Sequence, residues 1–338
     1  MTDSLPHLLD LLRADGVVRS AAARLTPLAG GVSSEIYRVD DGRDSFVVKR
    51  ALPKLNVAAE WFADPRRNLH EQDYLRYVAA FLPGSVPRLR FASRDHCYFA
   101  MELIDGELAN LKTELLAGRI DRSHAASAGR TLGTIHRHSA GDPEAIELFA
   151  TTDDFWQLRI EPYLLATAEA HPRLAAALRA EAERLAACRS ALVHGDYSPK
   201  NLLVSGERLV VIDCEVAWYG DPAFDLAFLL NHFCLKALYH APAHGARMQD
   251  AARAACEAYD EAWSNLPVVA VIAARASRLL PMLLLARVDG KSPVEYLTDS
   301  QRQHVRRFAE RKILTPRVKL AEMLESWFAW IAHPEAVA

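Results

Sequence analysis

Cysteine is scarce in this chain of 338 residues, and it never occurs in the C-x-x-C spacing of many zinc and redox sites. The five cysteines are odd in number and scattered along the chain: Cys97, Cys188, Cys214, Cys234 and Cys256. We therefore expect reduced, mostly buried thiols in a cytosolic protein, and neither a disulfide framework nor a zinc centre.

The chain also lacks a surplus of basic residues, since its net charge is −3. Proteins that bind nucleic acid usually carry basic clusters, so we expect no nucleic-acid partner. The start of the chain, M-T-D-S-L-P-H, lacks the basic and apolar regions of a signal peptide. Arg275, Arg278 and Pro281 interrupt the most apolar stretch, 267–286, which favours a buried helix over a membrane span. We expect a cytoplasmic protein without a membrane partner, and the choice between monomer and homodimer stays open.

The strongest pattern lies at 192–225, where H-G-D is followed after four residues by N. Short apolar runs predict a buried strand before this motif and a hairpin, 202–212, after it. Asp196 and Asn201 then share one loop, and Asp213 directly follows the hairpin. An isolated H-G-D would be an ordinary surface turn, but the order and spacing of the whole set fit a kinase catalytic loop.

Transfer of a phosphoryl group needs a carboxylate that orients the attacking hydroxyl, and oxygen ligands for Mg²⁺. Asp196 is the candidate base. Lys200 either neutralises the transferring phosphate or faces solvent. Mg²⁺ prefers oxygen ligands, and the candidates are Asn201, Asp213 and, directly or through water, Glu215.

Two features that nucleotide binding requires precede this motif in the chain. They are a flexible segment of small residues, 29–34, and a lysine at the end of a predicted strand. Glycines at 30–31 would let backbone amides approach phosphate oxygens. Lys49 would contact the α and β phosphates, and Glu71 on a predicted helix, 58–81, is its candidate partner, with Glu60 as the alternative. Taken alone, these residues would be an ordinary hairpin, a solvated lysine and a surface glutamate. The full candidate set for the nucleotide is Gly30, Gly31, Ser33, Ser34, Lys49 and Glu71, with Met101, Glu102 and Leu103 as the adenine hinge.

The stretch 192–225 resembles the aminoglycoside phosphotransferase superfamily, which also holds choline kinases and methylthioribose kinases. D-C-E-V-A-W-Y-G is similar to the D-x-E-x-A-x-Y-G of the methylthioribose kinase branch, whereas aminoglycoside enzymes often show D-x-x-R or D-x-D. The resemblance implies a bilobal, protein-kinase-like α+β fold. A small antiparallel-sheet lobe with a helix, 1–104, would bind ATP, and a larger, mostly helical lobe, 105–338, would carry catalysis. It also implies Asp196 as base, and Asn201 and Asp213 as Mg²⁺ ligands.

The acceptor is harder to predict. Arg275, Arg278 and Arg287 on late helices favour a neutral or anionic acceptor over a polycationic aminoglycoside. Trp218 and Tyr219 are candidates for stacking on a sugar ring. We expect ATP-dependent phosphorylation of a hydroxyl on a small metabolite, with methylthioribose as the leading candidate. The alternatives are an aminoglycoside- or choline-type kinase and a non-catalytic nucleotide-binding protein. A protein kinase is less favoured, because no A-P-E segment follows Asp213.

Overall fold

The structure is a computed structural model that describes residues 4–28, 34–51, 67–104, 106–315 and 318–332. The chain divides into two compact units, Met1–Gly106 (unit 1) and Glu107–Ala338 (unit 2). All five cysteines lie in the described ranges and are free thiols; Cys214 and Cys234 are buried, and the other three are half-buried.

Unit 1 is built on an antiparallel sheet whose five described strands run in the order β1-β2-β3-β5-β4. Its elements are α1 (Ser4–Ala14), β1 (Arg24–Pro27), β2 (Ser34–Asp40), β3 (Ser45–Ala51), α2 (Arg67–Phe81), β4 (Leu89–Ser93) and β5 (Tyr98–Glu102). The predicted turn at 41–42 joins β2 to β3, and the predicted strand pair at 87–101 is present as β4 and β5. The predicted helix at 58–81 is described from Arg67 onward, and Glu60 lies outside the described residues.

Alternation along β3 separates the core of unit 1 from its polar face. Phe46 and Val48 point to one face and pack with Leu8 and Leu12 of α1. Lys49 therefore points to the opposite face. The central position of β3, between β2 and β5, keeps this lysine away from a sheet edge.

Unit 2 is mostly helical and carries two small antiparallel sheets, β6-β8-β9 and β10-β7. Its strands are β6 (Ala109–Asn110), β7 (Ala191–Val193), β8 (Leu202–Ser205), β9 (Arg208–Val211) and β10 (Trp218–Gly220). Its first helices are α3 (Leu111–Leu116), α4 (Arg122–Ser139), α5 (Pro143–Leu148), α6 (Thr152–Phe155), a π-helical segment (Trp156–Leu165), α7 (Ala166–Ala170) and α8 (Ala175–Ala187). A 3₁₀ turn (Pro199–Asn201) precedes α9 (Ala223–His240), α10 (Gly245–Ala262), α11 (Val268–Asp289), α12 (Asp299–Ile313) and α13 (Leu320–Ala332).

Small residues on α4 let it pack closely on α10. A Cβ on Gly129 would collide with the backbone of Ala255, and one on Gly133 would lie 2.8 Å from the Cβ of Ala262. The helix α11 is long and apolar enough to cross a membrane by length and composition. Most of its apolar side chains are buried within unit 2, although Val268 and Val271 are exposed, and this matches the predicted buried helix.

Two local features were not specified by the sequence. The mixed positions of 5–14 and 17–25 predict that the chain begins with a helix; this helix ends at Ala14, and β1 begins at Arg24. A π-helical segment, Trp156–Leu165, overlaps the start of 162–187, where an Ala-, Arg- and Glu-rich composition predicts a pair of helices. Mixed polar and apolar positions do not separate a short edge strand from a helix, and periodicity does not reveal a π-helix.

Asp289 at the end of α11 joins three elements of unit 2. Its carboxylate lies 2.8 Å from His171 Nε2 and 2.7 Å from Arg306 Nη2. Burial would raise the pKa of Asp289, but the hydrogen bonds from Arg306 and His171 outweigh burial and lower it below 3.8. The stabilisation is therefore present above the carboxyl pKa of the unfolded chain, and is lost as the pH falls through the folded value.

Asp289→Asn is accordingly expected to lower the free energy of unfolding by about 2 kcal/mol at neutral pH, since hydrogen bonds to a charged group are lost. Urea titrations of both proteins at a series of pH values measure the difference. It should shrink as the pH approaches the lowered pKa, and an equal difference at every pH would contradict this account.

Candidate active site

The buried carboxylate of Asp225, in the first turn of α9, holds the backbone of the H-G-D loop (residues 194–201). It accepts hydrogen bonds from the backbone nitrogens of His194, at 2.6 Å, and Gly195, at 3.0 Å. His136 Nε2 lies 3.3 Å from the same carboxylate, and His136 Nδ1 lies 2.9 Å from Tyr259 Oη. Two backbone nitrogens and one imidazole nitrogen thus contact the fully buried carboxylate of Asp225. These contacts fix the position at which the loop leaves β7.

Glycine is required at the second position of the H-G-D motif. Gly195 has a φ of +77°, which side chains other than glycine rarely adopt. A Cβ there would also lie 2.5 Å from the carbonyl oxygen of Val216. The loop therefore turns sharply and packs directly on the segment that follows Asp213.

His194 is a structural residue of this loop. Its Nδ1 accepts a hydrogen bond from the backbone nitrogen of Asp196 at 3.1 Å, and its Nε2 lies 3.2 Å from the carbonyl oxygen of Ile212. This pairing requires the proton on Nε2. Burial lowers the pKa of His194, so the ring is neutral at neutral pH.

Asp196 is buried and faces two cations. Its Oδ2 lies 3.1 Å from Arg159 Nη2 and 3.0 Å from Lys200 Nζ. Burial would raise the pKa of Asp196, but the charges of Lys200 and Arg159 outweigh burial and hold it below its usual value. The carboxylate is therefore ionised at neutral pH and can accept a hydrogen bond from a hydroxyl group.

The amide oxygen of Asn201 is the atom of this side chain that can bind a cation. Its Nδ2 donates to the backbone oxygen of Asp196 at 3.0 Å, which determines the orientation of the amide. Asp213 lies two residues after the end of β9 and has a φ of 62°, a left-handed conformation that aspartate tolerates at a local cost. Glu215 is buried two residues later. One amide oxygen and two carboxylates suit the oxygen ligation that Mg²⁺ prefers.

Arg159 is the functional residue that sequence reasoning misses. It lies on the π-helical segment Trp156–Leu165, donates through Nε to the carbonyl oxygen of Gly195, and pairs with Asp196. Burial would lower its pKa, but the negative charges of Asp196 and Glu215 raise it. The guanidinium thus ties the H-G-D loop backbone and its carboxylate to one helix. π-Helical turns are common at functional sites, but no motif in the sequence marks this one.

In unit 1, Lys49 Nζ lies 2.7 Å from Glu71 Oε2, and both side chains are only 2% exposed. The structure therefore brings together the predicted lysine and its predicted partner. Ser34 begins β2 and is buried. Gly30, Gly31 and Ser33 lie outside the described residues.

The predicted hinge lies at the end of β5. Met101 and Glu102 are its last residues, and Leu103 follows it. The backbone nitrogen of Glu102 donates to the carbonyl oxygen of Arg88 at 2.9 Å. Leu103 is thus the one predicted hinge residue that lies beyond the strand.

The comparison with protein families agrees with this geometry. Residues 24–259 match the family described as "Phosphotransferase enzyme family". This chain belongs to that family. It is 23% identical to a methylthioribose kinase of Exiguobacterium sibiricum over 68% of this chain and 65% of the relative. It is 26% identical to a methylthioribose kinase of Escherichia coli over 70% of this chain and 66% of the relative. The match thus spans less than two thirds of the length of the first of these relatives.

Among solved structures, an amicoumacin kinase in complex with AMP-PNP, Ca²⁺ and Ami shares the fold. The TM-score is 0.52 at 12% identity, and the likeness covers 99% of this chain and 97% of that one. The predicted α+β, protein-kinase-like fold is therefore confirmed.

Two of the residues predicted to bind the acceptor have structural roles instead. Trp218 is fully buried, stacks on Phe155 with ring centroids 4.2 Å apart, and donates to Thr152 Oγ1. Tyr219 is buried, and its hydroxyl accepts from the backbone nitrogen of Gly141 at 2.9 Å. The prediction that these rings stack on a sugar is wrong, because both belong to the core around β10.

The predicted arginines separate into two groups. Arg275 lies 3.7 Å from Asp221, and Arg278 lies 2.8 Å from Glu181, so both compensate buried carboxylates beside α8. Their predicted role with the acceptor is not supported by these contacts. Arg287 instead donates to Tyr163 Oη at 3.2 Å, and the same tyrosine ring lies 6.0 Å from the guanidinium of Arg159.

Proposed function

We propose that this phosphotransferase moves the γ-phosphoryl group of ATP to a hydroxyl of a small metabolite. The observation that carries the proposal is the ionised Asp196, held between Arg159 and Lys200 on the loop that also bears Asn201. The names of the curated relatives make methylthioribose the first acceptor to test.

Asp196 orients the acceptor hydroxyl and accepts its proton. The hydroxyl oxygen forms a bond to the γ-phosphorus, the bond from that phosphorus to the β–γ bridging oxygen breaks, and ADP leaves. Lys200 is half-exposed, so its ammonium can turn from Asp196 toward the transferring phosphoryl group. Arg159 keeps the carboxylate in place during the transfer.

The remaining polar groups suit the nucleotide and its metal. Asn201, Asp213 and Glu215 would hold Mg²⁺, which supplies positive charge to the phosphate oxygens. Lys49 would bind the α and β phosphates, and Glu71 directs its ammonium. Ser34, with Gly30, Gly31 and Ser33, would place backbone amides against the phosphates.

A screen of sugars and amino alcohols, coupled to ADP release in the presence of Mg²⁺, tests the proposal. We expect ADP release that depends on the acceptor and is lost in Asp213→Asn. Nucleotide-dependent thermal stabilisation without product for every acceptor would favour a non-catalytic nucleotide-binding protein. Phosphorylated peptides would indicate a protein kinase.

Arg159→Met is expected to lower kcat by about 10- to 100-fold, because it removes an ionic hydrogen bond worth about 2 kcal/mol from the catalytic carboxylate. KM for ATP should change little. Arg159→Lys should recover part of the activity, since it keeps the charge but not the bond to the Gly195 carbonyl. Arg130→Met removes an exposed arginine of α4 as the matched control. Equal activity of the Arg159→Met and Arg130→Met proteins would contradict the assigned role.

A further inference from the structure

Four side chains near the H-G-D loop each have a buried nitrogen or oxygen that can donate a hydrogen bond, and together they form the donor cluster: His232, Lys236, Arg287 and Tyr296. Within the described residues, His232 Nδ1, Lys236 Nζ, Arg287 Nε and Tyr296 Oη are buried and have no hydrogen-bond partner. Buried polar atoms in native proteins are rarely unpaired, so each requires an explanation. Four in one neighbourhood point to a missing acceptor of hydrogen bonds.

The members of the donor cluster are close to one another. His232 and Lys236 are four residues apart on α9 and so share a helix face. Lys236 Nζ lies 5.2 Å from the centroid of the Tyr296 ring. The charges of Lys236 and Arg287 both act on His232, and the charge of Arg287 acts on Lys236.

The cluster is deficient in negative charge. Lys236 is 0% exposed, and an isolated buried ammonium is costly. The charge of Glu295 also acts on Lys236, but this carboxylate is paired with Lys112 at 2.6 Å and is therefore shared between two cations. Burial, with the charges of Lys112 and Arg287, lowers the pKa of Lys236 to about 7, which records how poorly the charge is compensated.

A chain of contacts links the cluster to the catalytic carboxylate. Arg287 donates to Tyr163 Oη at 3.2 Å, and the Tyr163 ring lies 6.0 Å from the guanidinium of Arg159. Arg159 in turn lies 3.1 Å from Asp196. The side chains of Arg287 and Tyr296 are half-buried, so this end of the cluster lies next to the surface of unit 2.

We propose that the donor cluster binds an anionic group, a carboxylate or a phosphate, carried by the acceptor whose hydroxyl lies at Asp196. This inference rests on the proposed function and restricts the class of acceptor. The acceptor is then an anionic alcohol, such as a hydroxy acid or a sugar phosphate. The anion supplies the hydrogen-bond acceptors and the negative charge that the cluster lacks. A neutral sugar such as methylthioribose supplies no charge and is expected to be the poorer acceptor.

Binding of simple anions to the full chain tests the subsite without knowledge of the acceptor. Inorganic phosphate and acetate are titrated separately at a pH below the Lys236 pKa of about 7, by calorimetry and by thermal shift. We expect saturable binding of at least one anion to the wild type. The Kd of this anion should be at least about tenfold higher for Lys236→Met than for the wild type, because the variant lacks a charged hydrogen-bond donor. The anion that binds more tightly distinguishes a phosphate from a carboxylate subsite.

The variants separate binding from folding. Lys236→Met keeps the length of the side chain and removes a charge that is costly to bury, so its melting temperature without ligand should be no lower than that of the wild type. Lys319→Met removes an exposed lysine and should bind the anion as the wild type does. Equal affinity of the wild type and Lys236→Met, or no saturable binding of either anion to the wild type, would overturn the subsite.

The two proposals fail in different ways. If the subsite is wrong, ADP release persists while anion binding is insensitive to Lys236. If the proposed function is wrong, ADP release is absent while anion binding still depends on Lys236.

Discussion

Asp196→Asn is expected to lower kcat by about 10³-fold and to leave nucleotide binding intact. The variant keeps the shape of the side chain but cannot accept the proton of the hydroxyl group. In the wild type, Lys200 and Arg159 keep this carboxyl ionised, so its negative charge is available at neutral pH. ADP release at saturating acceptor and the Kd for ATP, measured on the same preparation, separate catalysis from binding.

The matched control for this substitution is Asp153→Asn, which removes an exposed carboxylate of α6. We expect it to have wild-type activity. Wild-type turnover by Asp196→Asn would contradict the assignment of the base, and loss of ATP binding would show that the substitution acts on the nucleotide site.

Asp225→Asn is expected to lower the free energy of unfolding by about 3 kcal/mol. Its carboxylate accepts from two backbone nitrogens and faces His136, and all of these groups are buried. An amide turns one oxygen into a donor, so at least one buried donor loses its acceptor. Because the lost contacts hold His194 and Gly195, kcat should fall as well, even at temperatures where the variant is fully folded.

Asp250→Asn is the control for the loss of charge, since Asp250 belongs to an exposed ion pair with Arg253. Its effect on stability should be below about 1 kcal/mol. Urea denaturation of both variants measures the difference. Similar destabilisation by the two substitutions would show that Asp225 does not have the structural role assigned here.

The H-G-D loop and the hairpin after it were predictable because the information is local. Asp196 and Asn201 lie five residues apart, and the apolar runs on either side specify strands of unit 2. The Lys49–Glu71 pair was predictable for a different reason. A strand lysine and a helix glutamate follow the order that kinases require, and unit 1 brings them together.

Long-range contacts were not predictable in the same way. Arg159 lies 36 residues before Gly195 along the chain, and nothing near it in the sequence indicates that it contacts the H-G-D loop. Trp218 and Tyr219 lie close to Asp213 in sequence, but the strand pairing of β10 with β7 buries them. Their proximity to Asp213 in sequence thus suggested that both side chains face the acceptor, whereas the fold places them in the core. The donor cluster combines His232 and Lys236 of α9 with Arg287 of α11 and Tyr296 after α11, and only the fold brings them together.

The central claim is that a phosphoryl group moves from ATP to an alcohol with Asp196 as the base. Phosphorus NMR of a complete reaction of the full chain, ATP, Mg²⁺ and an acceptor identified by the ADP screen tests it most directly. The account predicts one new phosphate monoester for each ADP formed, and no ester from Asp196→Asn. Inorganic phosphate as the only new product, or the same ester from Asp196→Asn, would contradict it.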